Sequence, residues 1–218
     1  LGISLARGAF ANIVTYVRDN LKLFFNFKEH QDNPISHAST GSTSFDGSND
    51  YILVPDDPTL DFGTGDFTIG FWVYADDYAQ ANAGLVGLAN SSASAGIILR
   101  IDSGGAGKVE TFISASGWGE SSPISASALT NGTWNYVVLA RGSGTAKLYI
   151  NGSLSDSDSN TADIPEYDLT IGRTYEDSSN YYFEGSIANV GVWDRALSAS
   201  EVQGIMYKQY SDLGSVDK

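Results

Sequence analysis

Glu110 is the carboxylate best placed for chemistry, beside the strand-like run Thr111-Phe112-Ile113, but no second acid follows at i+2 or i+4. Glycoside hydrolysis needs two carboxyl groups, about 5–5.5 Å apart in retaining enzymes. Glu120 lies ten residues away in a glycine-rich loop. The two histidines, His30 and His37, both fall in the loop-like segment Lys28–Ser39. Neither has a serine-histidine-aspartate context, so both read as solvated loop histidines. Gly104-Gly105-Ala106-Gly107-Lys108 lacks the Ser or Thr and the following helix of a phosphate loop, and reads as a hairpin. With no cysteine in 218 residues, thiolate nucleophiles, thiolate zinc sites and disulfides are excluded. The residues predict no enzyme.

The same inventory limits the partners. The net charge of −14 repels phosphate backbones, which argues against nucleic acid. It also disfavours anionic membrane surfaces. No apolar run approaches the ~18–20 residues of a membrane helix, so no membrane insertion is expected. Aromatic residues in polar loops are the remaining candidates for contact. Trp118 stands alone in Ser116-Gly117-Trp118-Gly119-Glu120, Tyr78 follows Asp76-Asp77, and Tyr175 sits with Asp177 in Arg173-Thr174-Tyr175-Glu176-Asp177. Each can stack on a sugar face or anchor a partner, or fold back as a lid over the core.

The elements that must position these loops are strands. Phe67, Ile69, Phe71 and Val73 alternate along one face of Phe67–Tyr74, and similar runs recur down the chain from Leu21 to Trp193. Period-two alternation with frequent turn signals predicts an all-β sandwich or barrel, and Asn151-Gly152 marks a hairpin. Trp72, Trp134 and Trp193 sit inside such runs and read as core. Two segments depart from the pattern. Ser198-Ala199-Ser200-Glu201 is a capping box that opens a short helix with Val202, Ile205 and Met206 at helical spacing. Phe10, Ile13, Val14, Val17 and Leu21 fall on one helical face before the first convincing strand. They form either a terminal helix packed on its own domain or an arm that docks on other subunits of an assembly. The alternating acids of Asp156-Ser157-Asp158-Ser159-Asn160 read as a solvated tip.

Three groups of motifs together resemble the concanavalin A-like jelly roll in its laminin-G-like branch. The first is Ser44-Phe45-Asp46-Gly47-Ser48-Asn49-Asp50-Tyr51-Ile52 followed by Asp66–Val73. The second is Trp134–Val138 followed by Ala146-Lys147-Leu148-Tyr149-Ile150-Asn151-Gly152. The third is Leu169–Arg173, Phe183–Ala188 and Val192-Trp193-Asp194-Arg195-Ala196-Leu197-Ser198 with the short helix. The resemblance implies two antiparallel sheets with loops at the rim, in a jelly-roll sandwich with a short C-terminal helix and an N-terminal extension. The division is then an extension or arm over 1–20, the jelly roll over 21–210 and a tail or linker over 211–218. Retaining glycosidases of this superfold carry a Glu-x-Asp-x-Glu strand, which is absent here.

The resemblance also implies a structural Ca²⁺ near the termini, held by Asp46, the Gly47 carbonyl, Asp50 and Asp194. The alternative is that Asp46 and Asp50 bond their own turn while Asp194 pairs Arg195 or caps the helix approach. The lack of cysteine is closer to phage and bacterial members than to animal ones. The expectation is therefore a non-catalytic structural or adhesion protein at an extracellular or virion surface, as a virion decoration or fibre component docked through its N-terminal arm. The alternative is a lectin-like module of a secreted or cell-surface bacterial protein, with Tyr78, Trp118, Tyr175 and Asp177 meeting cell-surface glycans.

Overall fold

The computed structural model describes residues 21–25, 41–117, 122–177 and 180–208. The expected arm over 1–20 and tail over 211–218 lie outside them. In chain order the strands are β1 Leu21–Phe25, β2 Thr43–Asp46, β3 Ile52–Val54, β4 Phe67–Ala75, β5 Gly84–Asn90 and β6 Ala95–Ile101. There follow β7 Val109–Ser114, β8 Thr133–Gly142, β9 Thr145–Ile150, β10 Ser153–Ser159, β11 Leu169–Ile171, β12 Glu184–Trp193 and the helix α1 Ala199–Ile205. One antiparallel sheet runs β1-β12-β4-β8-β9-β10, with β2 pairing the first half of β12 and β1 the second. The other sheet runs β3-β11-β5-β6-β7. This is the all-β sandwich that the alternation predicts, in the two-sheet jelly-roll form that the resemblance implies. Among the described residues, no helix is long and apolar enough to cross a membrane.

Alternation produces three apolar layers. Between the sheets, Phe67, Ile69, Phe71 and Val73 of β4 share one core with Ile97, Leu99 and Ile101 of β6. Each large side chain buried there stabilises the fold by about 1.5–3 kcal/mol. On the outer face of the larger sheet, Trp72, Tyr136, Tyr149 and Trp193 lie under Val202, Ile205 and Met206. The capping box forms as expected, with Ser198 Oγ accepting from Glu201 N and Ser198 N donating to Glu201 Oε2. Trp72 Nε1–H donates to the Met206 carbonyl at 2.8 Å and ties α1 to the sheet.

The third layer is the outer face of the smaller sheet, where Tyr175 covers Ala89 and Ile98 beside Phe112. The segment after β11 can cross that face because β5 carries glycines beneath it. A Cβ on Gly84 would run into Thr174 N, and one on Gly87 into Thr174 O.

Two polar features close the sandwich. Arg141 on β8 is 1% exposed and donates to the carbonyls of Gly63, Gly65 and Ala162 and to Asn160 Oδ1. The acidic run expected as a solvated tip is instead the second half of β10, with Ser157 and Asp158 paired to Lys147 and Ala146 of β9. Asn160 beyond it is buried and donates to the Ile113 carbonyl. The free side of β10 meets residues 124–126, whose Ile124 N donates to Asp156 Oδ2 and Ala126 N to Ser155 Oγ.

Candidate functional site

At one end of the sandwich the turn after β2, the β4–β5 connection and the chain leading into β12 enclose a cleft of about 460 Å³. Its lining includes Gly47, Ser48, Gln80, Asn180, Tyr181, Tyr182 and Glu184. Each wall has a local cause. Asp46 Oδ1 accepts the amides of Ser48 and Asn49 at 2.8 and 3.1 Å, which bends the chain back at once. Those amide bonds hold the Asp46 carboxyl below its usual range. Gly47, at φ +72°, donates its amide to the Phe183 carbonyl. Gln80 is fastened from both ends of its amide, accepting from Glu184 N and donating to the carbonyls of Glu184 and Asp77.

Tyrosines form the lip. Tyr181 is 43% exposed and holds φ +65°, a left-handed conformation that costs a bulky residue on the order of 1–3 kcal/mol. Gly84 N donates to its carbonyl at 2.8 Å and pins it there. The Tyr175 ring stands edge-on to Tyr181 with centroids 6.0 Å apart. Tyr51, also exposed, lies 6.2 Å from Tyr182. The buried Arg173 guanidinium sits 3.8 Å over the Tyr51 ring and gives Nη2 to the Glu176 carbonyl. The arrangement offers ring faces, hydroxyls and amides to a ligand. Among the described residues, Glu184 is the only acid lining the cleft, so no carboxylate pair is found there. Glu110, the acid closest to a catalytic context, is spent on Arg100, which donates to it at 3.0 and 2.8 Å.

The expected site residues are distributed unevenly. Gly47 lines this cleft; Tyr175 does not, being buried as a lid over Ala89 and Ile98 with only its ring edge against Tyr181. Asp177 does not line the cleft; its carboxylate accepts from the amides and hydroxyls of Ser91 and Ser92 and clamps the segment after β11 to the β5–β6 turn. Burial would raise its pKa, but those four bonds outweigh burial and lower it. Tyr78 is a correction: it is fully buried, its hydroxyl donates to the Val73 carbonyl, and burial raises its pKa strongly. Its polar neighbours misled because Asn131 Oδ1 takes the Tyr78 amide and turns the ring inward. Trp118, Phe10, Ile13, Val14 and Val17 lie outside the described residues. Leu21, grouped with the arm, is the first residue of β1 and pairs with Trp193.

The four residues expected around Ca²⁺ do not share one site. Asp46 pairs with Glu184 at the start of β12, whereas Asp194 follows the last residue of that strand. At about 3.3 Å per residue the two stand roughly 30 Å apart. Asp194 Oδ2 instead pairs with Lys22 Nζ at 2.8 Å, and Asp46 makes its own turn. A different acidic group, Asp56, Asp61 and Glu166, does converge within 4.8 Å on the surface. Burial first, then the charges of Asp56 and Asp57, raises the Asp61 pKa. Sequence reading missed that group, and the Tyr51, Tyr181, Tyr182 and Arg173 lip, because each is gathered from separate segments. The available signal was the tyrosine pair in the polar stretch Asn180-Tyr181-Tyr182.

The chain matches the family described as the concanavalin A-like lectin/glucanases superfamily over residues 46–203. No curated protein sequence matches it. Among solved structures, the receptor binding domain of botulinum neurotoxin D is similar with a TM-score of 0.65 at 17% identity, covering 87% of this chain and 53% of that one. The binding domain of Paraclostridial Mosquitocidal Protein 1 gives 0.62 at 19% identity, covering 87% and 52%. The CBM40 of the Ruminococcus gnavus IT-sialidase, bound to α2,3-sialyllactose, gives 0.59 at 18%, covering 76% and 97%. This chain thus spans about half the length of the two toxin domains. At these identities the likeness is one of fold.

Proposed function

Because the chain belongs to the concanavalin A-like lectin/glucanase superfamily, we propose that it is a non-catalytic binding domain whose tyrosine-lipped cleft holds a glycan at an extracellular surface. The observation that carries this reading is Tyr181. A bulky ring kept nearly half in solvent on a left-handed backbone, with only the Tyr175 edge to pack on, holds strain that its burial does not offset, and such strain gathers at ligand sites. The carbohydrate-bound sialidase module of the same fold supports the ligand class. The spent Glu110 and the single acid in the cleft support a role without chemistry.

The test is a glycan array with the wild type and Tyr181→Asn, because asparagine tolerates the left-handed backbone. The variant should melt within a few degrees of the wild type yet bind at least about 30-fold more weakly, the loss expected of an aromatic anchor worth about 2 kcal/mol. Unchanged glycan binding by Tyr181→Asn would remove the cleft from the function. A second reading makes the same domain a virion decoration or fibre component that docks on an assembly. Its support is the helical spacing of Phe10, Ile13, Val14 and Val17.

A further inference from the structure

Resting on the glycan reading, we infer that the rim cleft selects neutral saccharides and rejects those carrying a carboxylate or sulfate. Among the described residues, the exposed charges at the cleft are negative. Glu184 is exposed and lines the cleft, and no Lys or Arg does so among the described residues. Asp46 and Asp50 stand on the adjoining turn and add to that sign, whereas the carboxylates of Glu176 and Asp177 are turned to the β5–β6 end, away from the cleft. The one cation of this rim, Arg173, is 6% exposed. Its guanidinium lies over the Tyr51 ring and gives Nη2 to the Glu176 carbonyl, while its unpartnered Nε is buried, so no charged fork is presented to an anion. The chain's net charge of −14 adds a repulsive background. The rest of the lining is uncharged: the Ser48 hydroxyl and the Tyr181 and Tyr182 phenols are groups that pair with uncharged sugar hydroxyls, and the two tyrosine rings supply stacking faces.

The experiment uses the full chain on matched saccharide pairs: lactose-terminated chains with and without a terminal sialic acid, and glucose- against glucuronic-acid-terminated chains. The acidic member of each pair should bind at least about fivefold more weakly, the change produced by one like-charge contact at about 4 Å in water. The gap should narrow between low and high salt, since charges beyond a Debye length of about 8 Å are screened at physiological ionic strength. It should also narrow in Glu184→Gln, which keeps the shape and removes the nearest charge. Equal or tighter binding of the acidic members, or a gap indifferent to both salt and Glu184→Gln, overturns the inference and leaves the glycan reading standing. Absence of binding to every saccharide overturns the glycan reading and the inference with it.

Discussion

Replacing Arg141 by methionine keeps the aliphatic stem and removes a head group that makes five hydrogen bonds. Nη1 reaches the Ala162 carbonyl at 2.7 Å and Asn160 Oδ1 at 3.4 Å, while Nε and Nη2 reach the carbonyls of Gly63 and Gly65 at 2.6–3.0 Å. The carbonyls do not suffer equally. Gly63 O keeps a second donor, Ile164 N, at 3.0 Å, and Gly65 is exposed enough for water to replace the arginine. Ala162 is buried. Stranding its carbonyl costs about 1–3 kcal/mol, and losing two charge-assisted bonds to the loop about 1.5 kcal/mol each. No longer burying a cation offsets part of this. A net loss of about 3 kcal/mol remains, or about 6–12 °C in melting temperature for a chain of this size. Urea and thermal unfolding followed by tryptophan fluorescence give the value, and hydrogen exchange should quicken around 62–65 and 160–164. Arg141→Lys should recover less than half of the loss, because an ammonium cannot reproduce the planar fork. A methionine variant within about 1 kcal/mol of the wild type would refute the view that this side chain holds the two loops together.

Glu201 predicts an acid dependence. Burial raises its pKa, but the Ser198 amide and hydroxyl and the Arg195 ion pair outweigh burial and hold it below the ordinary 4.5. A folded value below the unfolded one means that its contribution is present above about pH 4.5 and is lost as the pH falls through the folded value. The urea midpoint difference between wild type and Glu201→Gln should therefore shrink from pH 6 toward about pH 3; a constant difference would contradict the capping role. Gly87→Ala should destabilise by more than about 2 kcal/mol and release the segment after β11, since the added methyl meets the Thr174 carbonyl. Unfolding midpoints that match the wild type would show that this segment does not lie tightly on β5.

The alternation of Phe67, Ile69, Phe71 and Val73 announced both the strand and its buried face, and the structure keeps both. The capping box at Ser198 and the turn at Asn151-Gly152, with φ +50° and +77°, were equally plain because local geometry dictates them. What local composition could not carry was distance. Tyr78, after two acids, was open between a contact aromatic and a lid over the core, and Asn131 and the Val73 carbonyl settle it as core. The β10 run of serine and aspartate is polar on both faces, so it had no burial period to mark it as a strand. Asp46 and Asp194 seemed apt to share an ion until the register placed them at opposite ends of β12. The lip of the cleft joins residues 51, 173–175 and 180–182, which only the sheet order brings together.

The free flank of β10 has a consequence for crowding. An outermost strand with idle amides and carbonyls invites the same strand of a neighbouring copy to zip onto it. Here Asp156 and Asp158 stand along that flank, one of them already accepting from Ile124. Two copies approaching in this way would bring rows of like charge together and strip a bond that each copy already holds. Pairing of two copies edge to edge through β10 is therefore opposed by charge and by the bond it would break, so this strand is a poor seed for a fibril.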